Sequence, residues 1–205
     1  MEAAHRIEIS GGIGAGKTTL ARTLAALRPC RLVEEEVRTV PFFRQFYAEP
    51  MAYGFHKNVS FVLSHADRAR SEGGAAVVCD YALFQDLAYT DIVCEAADVR
   101  AVEAVLARMV ARIGHPALLV HLACAPEIQL THIARRGRPE EGGLGLPYLE
   151  RLRTALDRRL AAFRRESPAT RVLTIDADAL DLEADPDALR DAATRIWAAL
   201  DEGRA

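Results

Sequence analysis

Along the chain, short apolar runs alternate with longer stretches in which apolar residues return every three or four positions. Residues 6–10, 31–34, 75–79, 117–124 and 171–175 are the runs, and each predicts a strand. Between them the wider spacing predicts helices over 18–27, 52–70, 83–95, 98–113, 126–135, 148–166 and 186–202. A further helical turn starts at Pro41, with Phe42, Phe43, Phe46 and Tyr47 on one face. Breaks fall at Gly73-Gly74 and at Gly114-His115-Pro116, and residues 137–147, with four Gly and two Pro, predict a loop. Strands separated by helices predict an α/β fold, a parallel five-stranded sheet with helices on both faces, as one domain over residues 1–205.

Composition narrows the class of partner. Of 205 residues, 50% are apolar and 27% charged, a globular balance. The formal charge is 26 − 29 = −3, which speaks against a surface that grips a nucleic-acid polymer but allows a small polyphosphate in a local pocket. The longest near-apolar run, 117–125, is broken by His121 and is far short of the ~20 residues that span a bilayer. A strand is reached by Arg6, leaving no room for a signal peptide, so a cytoplasmic location and no membrane partner are expected. Cys30, Cys79, Cys94 and Cys124 lie far apart without metal-like spacing and read as reduced thiols.

The chemistry begins after the first strand. Gly11-Gly12-Ile13-Gly14-Ala15-Gly16-Lys17-Thr18 is a full GxxxxGK[ST] phosphate-binding loop, placed between a strand and a helix. Its glycines let backbone N–H groups turn inward onto phosphate oxygens, Lys17 adds a point charge, and the Thr18 hydroxyl is a magnesium ligand. The helix that follows contributes the positive end of its dipole. A nucleotide such as ATP with Mg2+ is the expected occupant. The loop leaves the reaction open, since switches, motors and small-molecule kinases all use it.

In parallel α/β sheets the ligand crevice lies beyond the carboxyl ends of the strands. Two acidic sites fall there. Asp80 ends the apolar run 75–79 and reads as a second magnesium-holding residue, directly or through water. Glu34-Glu35-Glu36 follows the second strand, and spacing alone does not say which of the three faces inward. A kinase acting on a hydroxyl needs a carboxylate to take the proton and guanidinium groups to steady phosphoryl charge. Arg135, Arg136 and Arg138 sit where a closing lid, about residues 135–147, would bring them over the phosphates.

These pieces, in this order, resemble the deoxynucleoside kinase family from Ile7 to about Leu180. The family's "EGNIGxGKTT" start appears as Ser10 through Thr19, and its "EPV" segment as Glu35-Glu36-Val37. Its "NPFxxxFYxDPxxYAFxxQ" pattern is traced by Pro41-Phe42-Phe43, Phe46-Tyr47, Glu49-Pro50, Tyr53-Gly54-Phe55 and Asn58. "RGRxEE" spans 136–141, and "YLExL" spans 148–152. The resemblance implies Glu35 as general base for the sugar 5′-hydroxyl, with Tyr47 at the 3′-hydroxyl and Glu141 at the sugar. It implies a catalytic part for Lys17, Arg136 and Arg138, and places Asp176 and Ala177 near the adenine of ATP. It also implies a helix-packed homodimer serving nucleotide salvage, and the stripes of 83–95 and 98–113 offer apolar surface for it.

The chain departs from the family at four places. "DRS" reads Asp80-Tyr81-Ala82, a form similar to a bacterial branch with "SDY", and the resemblance places Asp80, Tyr81 and His65 at the substrate. The base-pairing glutamine is Asn58, and His65 and His132 stand where many members carry arginine. Asp86 keeps the acidic position that contacts the base. Asn58 offers one donor and one acceptor to an adenine-like edge, and Asp86 accepts from an exocyclic amine. A deoxynucleoside with an amino-bearing base, a purine or cytosine, is therefore expected over thymidine. Phe55 and Phe84 are core residues by type and a stacking wall by the resemblance. Two other readings remain open: a kinase for another small hydroxylated metabolite, and a nucleotide-binding regulator without acceptor chemistry.

Overall fold

The computed structural model describes residues 5–70, 75–179 and 185–203. Its five strands are β1 Arg6–Gly11, β2 Arg31–Val33, β3 Val77–Cys79, β4 Leu118–Ala123 and β5 Arg171–Asp176. They form one sheet in the order β2-β3-β1-β4-β5, every pairing parallel. The helices are α1 Lys17–Leu27, α2 Phe43–Ala48, α3 Pro50–Arg68, α4 Gln85–Val93, α5 Ala96–Ile113, α6 Pro126–Arg136, α7 Leu146–Glu166 and α8 Pro186–Glu202.

Alternation along β1 sorts the two faces. Ile7 and Ile9 are fully buried against Leu20 and Leu24 of α1 and Ile196 and Leu200 of α8. On the other face, Val77 and Cys79 pack with Val62 and Ala66 of α3 and Val102 and Leu106 of α5. Leu119 meets Leu160 and Phe163 of α7 there. Burial of this kind supplies most of the folding drive, about 25 cal/mol for each Å² of apolar surface removed from water. The same face of β1 also carries Arg6 and Glu8, an ion pair of 2.8 Å that is almost wholly buried. A buried pair is tolerated only when its remaining donors and acceptors are met. Here the Arg6 guanidinium donates to the Ile113 and Gly114 carbonyls, and Glu8 Oε2 accepts the Leu83 N–H at 3.0 Å.

Proline sets several boundaries. α3 begins at Pro50, two residues before the expected start, because a proline in the first turn gives up only an N–H that has no helical partner. α6 and α8 also start on proline, and the Asp185 side chain caps α8 by accepting the Ala188 N–H at 2.9 Å. The stretch 137–147 is not all loop, since Pro139–Glu141 forms a 3₁₀ turn and α7 starts at Leu146. A further 3₁₀ turn, Val37–Thr39, was not expected. The Gly73-Gly74 break lies outside the described residues. The stripes of α4 and α5 are covered within the chain, α4 by α3, α5 and α7, and α5 by α3. Among the described residues, neither helix carries a fully exposed large apolar side chain.

Candidate active site

The carboxyl ends of β1, β2 and β3 converge on a cavity of about 1340 Å³, large enough for a nucleotide and a second small molecule. The phosphate-binding loop forms its floor. Gly14 has φ +79°, and a Cβ there would lie 2.9 Å from the Gln129 carbonyl. Gly12 is packed more tightly still, against the side-chain amide of Gln129. The loop is braced by two helices, α4 through Gln85 and α6 through His132. Gln85 Oε1 accepts the Gly11 N–H at 3.0 Å, His132 Nδ1 donates to the Gly14 carbonyl at 2.8 Å, and Gln129 Nε2 donates to the Cys124 carbonyl at 2.7 Å. Lys17 Nζ donates to the carbonyls of Gly11 and Gly12 at 3.0 and 2.9 Å. Burial lowers the Lys17 ammonium below its ordinary pKa, opposed by the charges of Glu35 and Asp80.

Asp80, just past β3, ties two parts of the site together. Its Oδ2 accepts the Thr18 hydroxyl at 2.6 Å, and its Oδ1 accepts the Glu35 N–H at 2.6 Å. Burial raises its pKa, with the Thr18 hydrogen bond working the other way. A hydroxyl and a carboxylate side by side at the phosphate loop fit a magnesium ion carried mainly by phosphate and water. Among the described residues no cluster of three or more His, Cys, Asp or Glu could cage a metal without such help.

The three glutamates are told apart by their partners. Glu34 turns outward to Arg22, with hydrogen bonds of 2.6 and 2.8 Å, and Glu36 reaches Arg68 at 3.0 Å. Glu35 and Glu36 both line the cavity with Lys17, Thr18 and Asp80, but the Glu36 carboxylate is taken up by Arg68. Burial alone would raise the Glu35 pKa. The neighbouring His65, Lys17 and Lys57 more than reverse this and hold it below the usual carboxylate value. A base that is already ionised is what proton removal needs.

His65, on α3, stands behind that base. Its ring stacks on Tyr81, centroids 3.9 Å apart, and the Tyr81 hydroxyl donates to the His65 carbonyl at 3.0 Å. Nδ1 lies 3.0 and 3.1 Å from the two Asp86 oxygens, while Nε2 has Glu35 Oε1 at 3.4 Å and no hydrogen bond. Burial would lower the imidazole pKa, but Asp86 and Glu35 on either side raise it to about 10. A pKa raised on folding adds stability that is complete below the ordinary 6.5 and lost as pH climbs through about 10. The melting-temperature gap between the parent protein and His65→Gln is therefore expected to be widest near about pH 6 and to close towards about pH 10. A gap that stays constant across that range would remove the charged imidazolium from the account.

The far wall comes from α6 and the residues after it. Arg136 and Arg138 line the cavity, as does Glu141. Arg136 binds Glu141 through contacts of 3.2 and 2.5 Å, and Arg138 comes within 3.7 Å of the same carboxylate. Ile13 to Thr19, Asn58, Asp86 and Ala177 also line it. Gly11, Gly12 and His65 are not among the lining residues; Gly11 and Gly12 accept from Lys17, and His65 stands behind Glu35.

Three expected contacts do not reach the cavity. Phe55 joins the apolar cluster of α3 and α5, and Tyr81 is 1% exposed, its ring taken up by His65. Asp176 turns back on its own loop, its Oδ1 accepting the N–H groups of Asp178 and Ala179. Phe84 is core, 5.2 Å from Phe163. Tyr47 falls in α2, and its side chain lies outside the described part of the structure. The cavity also holds residues that were not expected: Lys57, Phe61 and Tyr89 on the α3 and α4 side, and Arg38 and Arg151 opposite. Lys57 and Phe61 are four apart on α3, so a lysine inside an apolar helical stripe was the available signal.

Comparison with known proteins follows this geometry. The family profile described as "Deoxynucleoside kinase" matches residues 7–200. The chain is 24% identical over 187 residues to deoxyguanosine kinase of Bacillus subtilis, covering 88% of this chain and 90% of that protein. It is 29% identical over 182 residues to deoxyadenosine kinase of Dictyostelium discoideum, covering 84% of this chain and 73% of that protein. Among solved structures, deoxyadenosine kinase from M. mycoides with bound dCTP superposes with a TM-score of 0.76 at 18% identity. That match covers 95% of this chain and 99% of the other, and it is a likeness of fold.

Proposed function

The chain belongs to the deoxynucleoside kinase family, and on that footing we propose that it transfers the γ-phosphoryl group of ATP to the 5′-hydroxyl of a purine deoxynucleoside or deoxycytidine, with Glu35 as the base. ATP-dependent phosphorylation of a deoxynucleoside is the reaction of the family and of this chain. The finer assignment rests above all on one observation. A single carboxylate, Asp80, accepts the Thr18 hydroxyl of the phosphate loop and the backbone N–H of Glu35. The donor phosphates and the proton acceptor are thereby held in one frame.

In this frame Glu35 takes the proton as the 5′-oxygen attacks the γ-phosphorus. The bond from that phosphorus to the β–γ bridging oxygen breaks, and ADP leaves. Lys17 meets the charge on the β and γ phosphates from below, and Arg136 and Arg138 meet it from the lid side. Thr18 and Asp80 would hold magnesium, directly or through water, and the ion when bound offsets phosphate charge. Asp86 and Asn58 face the base, Glu141 the sugar, and Ala177 the adenine of ATP. Closing the Arg-bearing segment over the phosphates would exclude water and so spare ATP from hydrolysis.

The assignment extends to a cytoplasmic homodimer in nucleotide salvage. Among the described residues no helix is long and apolar enough to cross a membrane. Met51 and Leu63 on α3 are exposed apolar side chains that a second copy would cover. Light scattering on the eluting protein is expected to give twice the chain mass of 22.4 kDa. The substrate assignment is tested by ADP release from ATP and Mg2+ with each deoxynucleoside in turn. Purine deoxynucleosides or deoxycytidine are expected to stimulate release well above thymidine. If thymidine is the best acceptor, the base assignment is lost, and if none stimulates release while ATP binds, the kinase assignment is lost with it.

A further inference from the structure

Asn58 and Asp86 are the expected readers of the base, but the structure puts a cation beside them. Lys57 is 8% exposed and lines the cavity. Its Nζ lies 4.2 Å from the ring centroid of Phe46, 5.3 Å from that of Phe61 and 5.8 Å from that of Tyr89. Aromatic faces hold a cation by their quadrupoles without providing the oxygen or nitrogen acceptors its N–H groups seek. Among the described residues, Nζ has no hydrogen-bond acceptor and no carboxylate at ion-pair distance. A lysine carries three donors and no acceptor, so all three remain for whatever enters the cavity. The rings fix where that charge sits, and the apolar setting strengthens any hydrogen bond it makes.

The neighbouring groups define what the occupant must offer. Asn58 Nδ2 donates to Cys94 Sγ at 3.7 Å, so one of the two N–H donors of the amide is turned into the wall and its pairing with a base is weakened. Two-point pairing with adenine needs both ends of that amide. Asp86 lines the same cavity, and its charge acts on Lys57 more strongly than that of any other residue. His65 occupies one side of the Asp86 carboxylate, and each oxygen keeps a further lone pair for a ligand. The same cavity therefore presents a fixed donor and a fixed acceptor.

On a 6-oxopurine, O6 is an acceptor and the adjacent N1–H is a donor. On adenine the order is reversed, with an amine at position 6 and a bare N1. An adenine in the same pose would set its amine against the ammonium and its N1 lone pair against the carboxylate. We infer that Lys57 is the residue that selects the base, donating to O6 of a 6-oxopurine while Asp86 accepts from N1–H, so that deoxyguanosine is preferred to deoxyadenosine. This rests on the deoxynucleoside kinase reading above and narrows it to one base class. Burial brings the Lys57 pKa down to about 8, which leaves the ammonium protonated at neutral pH.

Deoxyinosine makes the test specific, because it differs from deoxyadenosine only at position 6 and in the proton on N1. With ATP and Mg2+ at neutral pH, kcat/KM for deoxyguanosine and deoxyinosine is expected to exceed that for deoxyadenosine by at least about 10-fold, a modest part of what sites built to hydrogen-bond achieve. Lys57→Met keeps the length of the side chain and removes its donors. It is expected to cut the deoxyguanosine-to-deoxyadenosine ratio of kcat/KM at least about tenfold, chiefly through KM for deoxyguanosine. Equal losses on both substrates, or a parent protein that prefers deoxyadenosine to deoxyinosine, would overturn the inference. The comparison on the parent protein needs no variant, so a misfolded Lys57→Met leaves it decisive. Absence of turnover with every nucleoside is a separate result that overturns the kinase reading itself.

Discussion

Glu35→Gln is expected to lower kcat by about 10²–10⁴-fold, the range a positioned general base supplies, while ATP and deoxynucleoside still bind. The amide keeps the shape of the carboxylate and the backbone N–H that Asp80 accepts at 2.6 Å. What it loses is the capacity to take a proton. The loss should therefore fall on kcat and kcat/KM together, with KM little changed, the pattern of an interaction made only in the transition state. The other two glutamates provide internal controls. Glu34 and Glu36 are taken up by Arg22 and Arg68, and their Gln variants are expected to turn over within about threefold of the parent, as for surface substitutions. If Glu35→Gln retained full kcat, proton removal would not be its task. The rates are read by coupled ADP release, and binding by calorimetry on each ligand.

Lys17→Met should be nearly as severe. In the structure Nζ rests on the carbonyls of Gly11 and Gly12, two acceptors it exchanges for phosphate oxygens once ATP is present. A charged group placed where charge develops, in a site shielded from water, is worth about 10²–10³-fold in kcat for one donor. Because Lys17 also meets the ground-state phosphates, its loss is expected to raise KM for ATP as well as lower kcat. That double signature separates it from Glu35. A Lys17→Met protein with parental KM for ATP would show that the ammonium stays on the loop carbonyls throughout.

How much of this could be read from the chain depends on how local each signal is. The phosphate loop is eight consecutive residues between a strand and a helix, so sequence alone placed Lys17 and Thr18, and Asp80 followed from the apolar run it ends. Which member of the glutamate triplet is left for the proton was not legible from spacing, because the arginines that bind Glu34 and Glu36 come from α1 and α3. Family resemblance pointed to Glu35, and the arginine partners of Glu34 and Glu36 supply the physical reason.

Side chains that act through stacking or through buried charge were harder to place. Tyr81 was expected to face the substrate, yet its ring lies against His65 and its hydroxyl on a backbone carbonyl. The pairing couples α3 to the end of β3, and no local pattern announces it. Lys57 was missed for a related reason. A lysine on an amphipathic helix ordinarily extends to water, and only the approach of Phe46 from α2 and Tyr89 from α4 turns this one into a wall of the cavity.

The central claim is that this cavity moves one phosphoryl group from ATP to the 5′-oxygen of a deoxynucleoside. Incubating the protein with ATP, Mg2+ and deoxyguanosine, then identifying the phosphorylated nucleoside by phosphorus–proton coupling in NMR, tests it most directly. The account predicts a 5′-monophosphate formed in equal amount to ADP. A 3′-monophosphate, or ADP formed without any phosphorylated nucleoside, would contradict it.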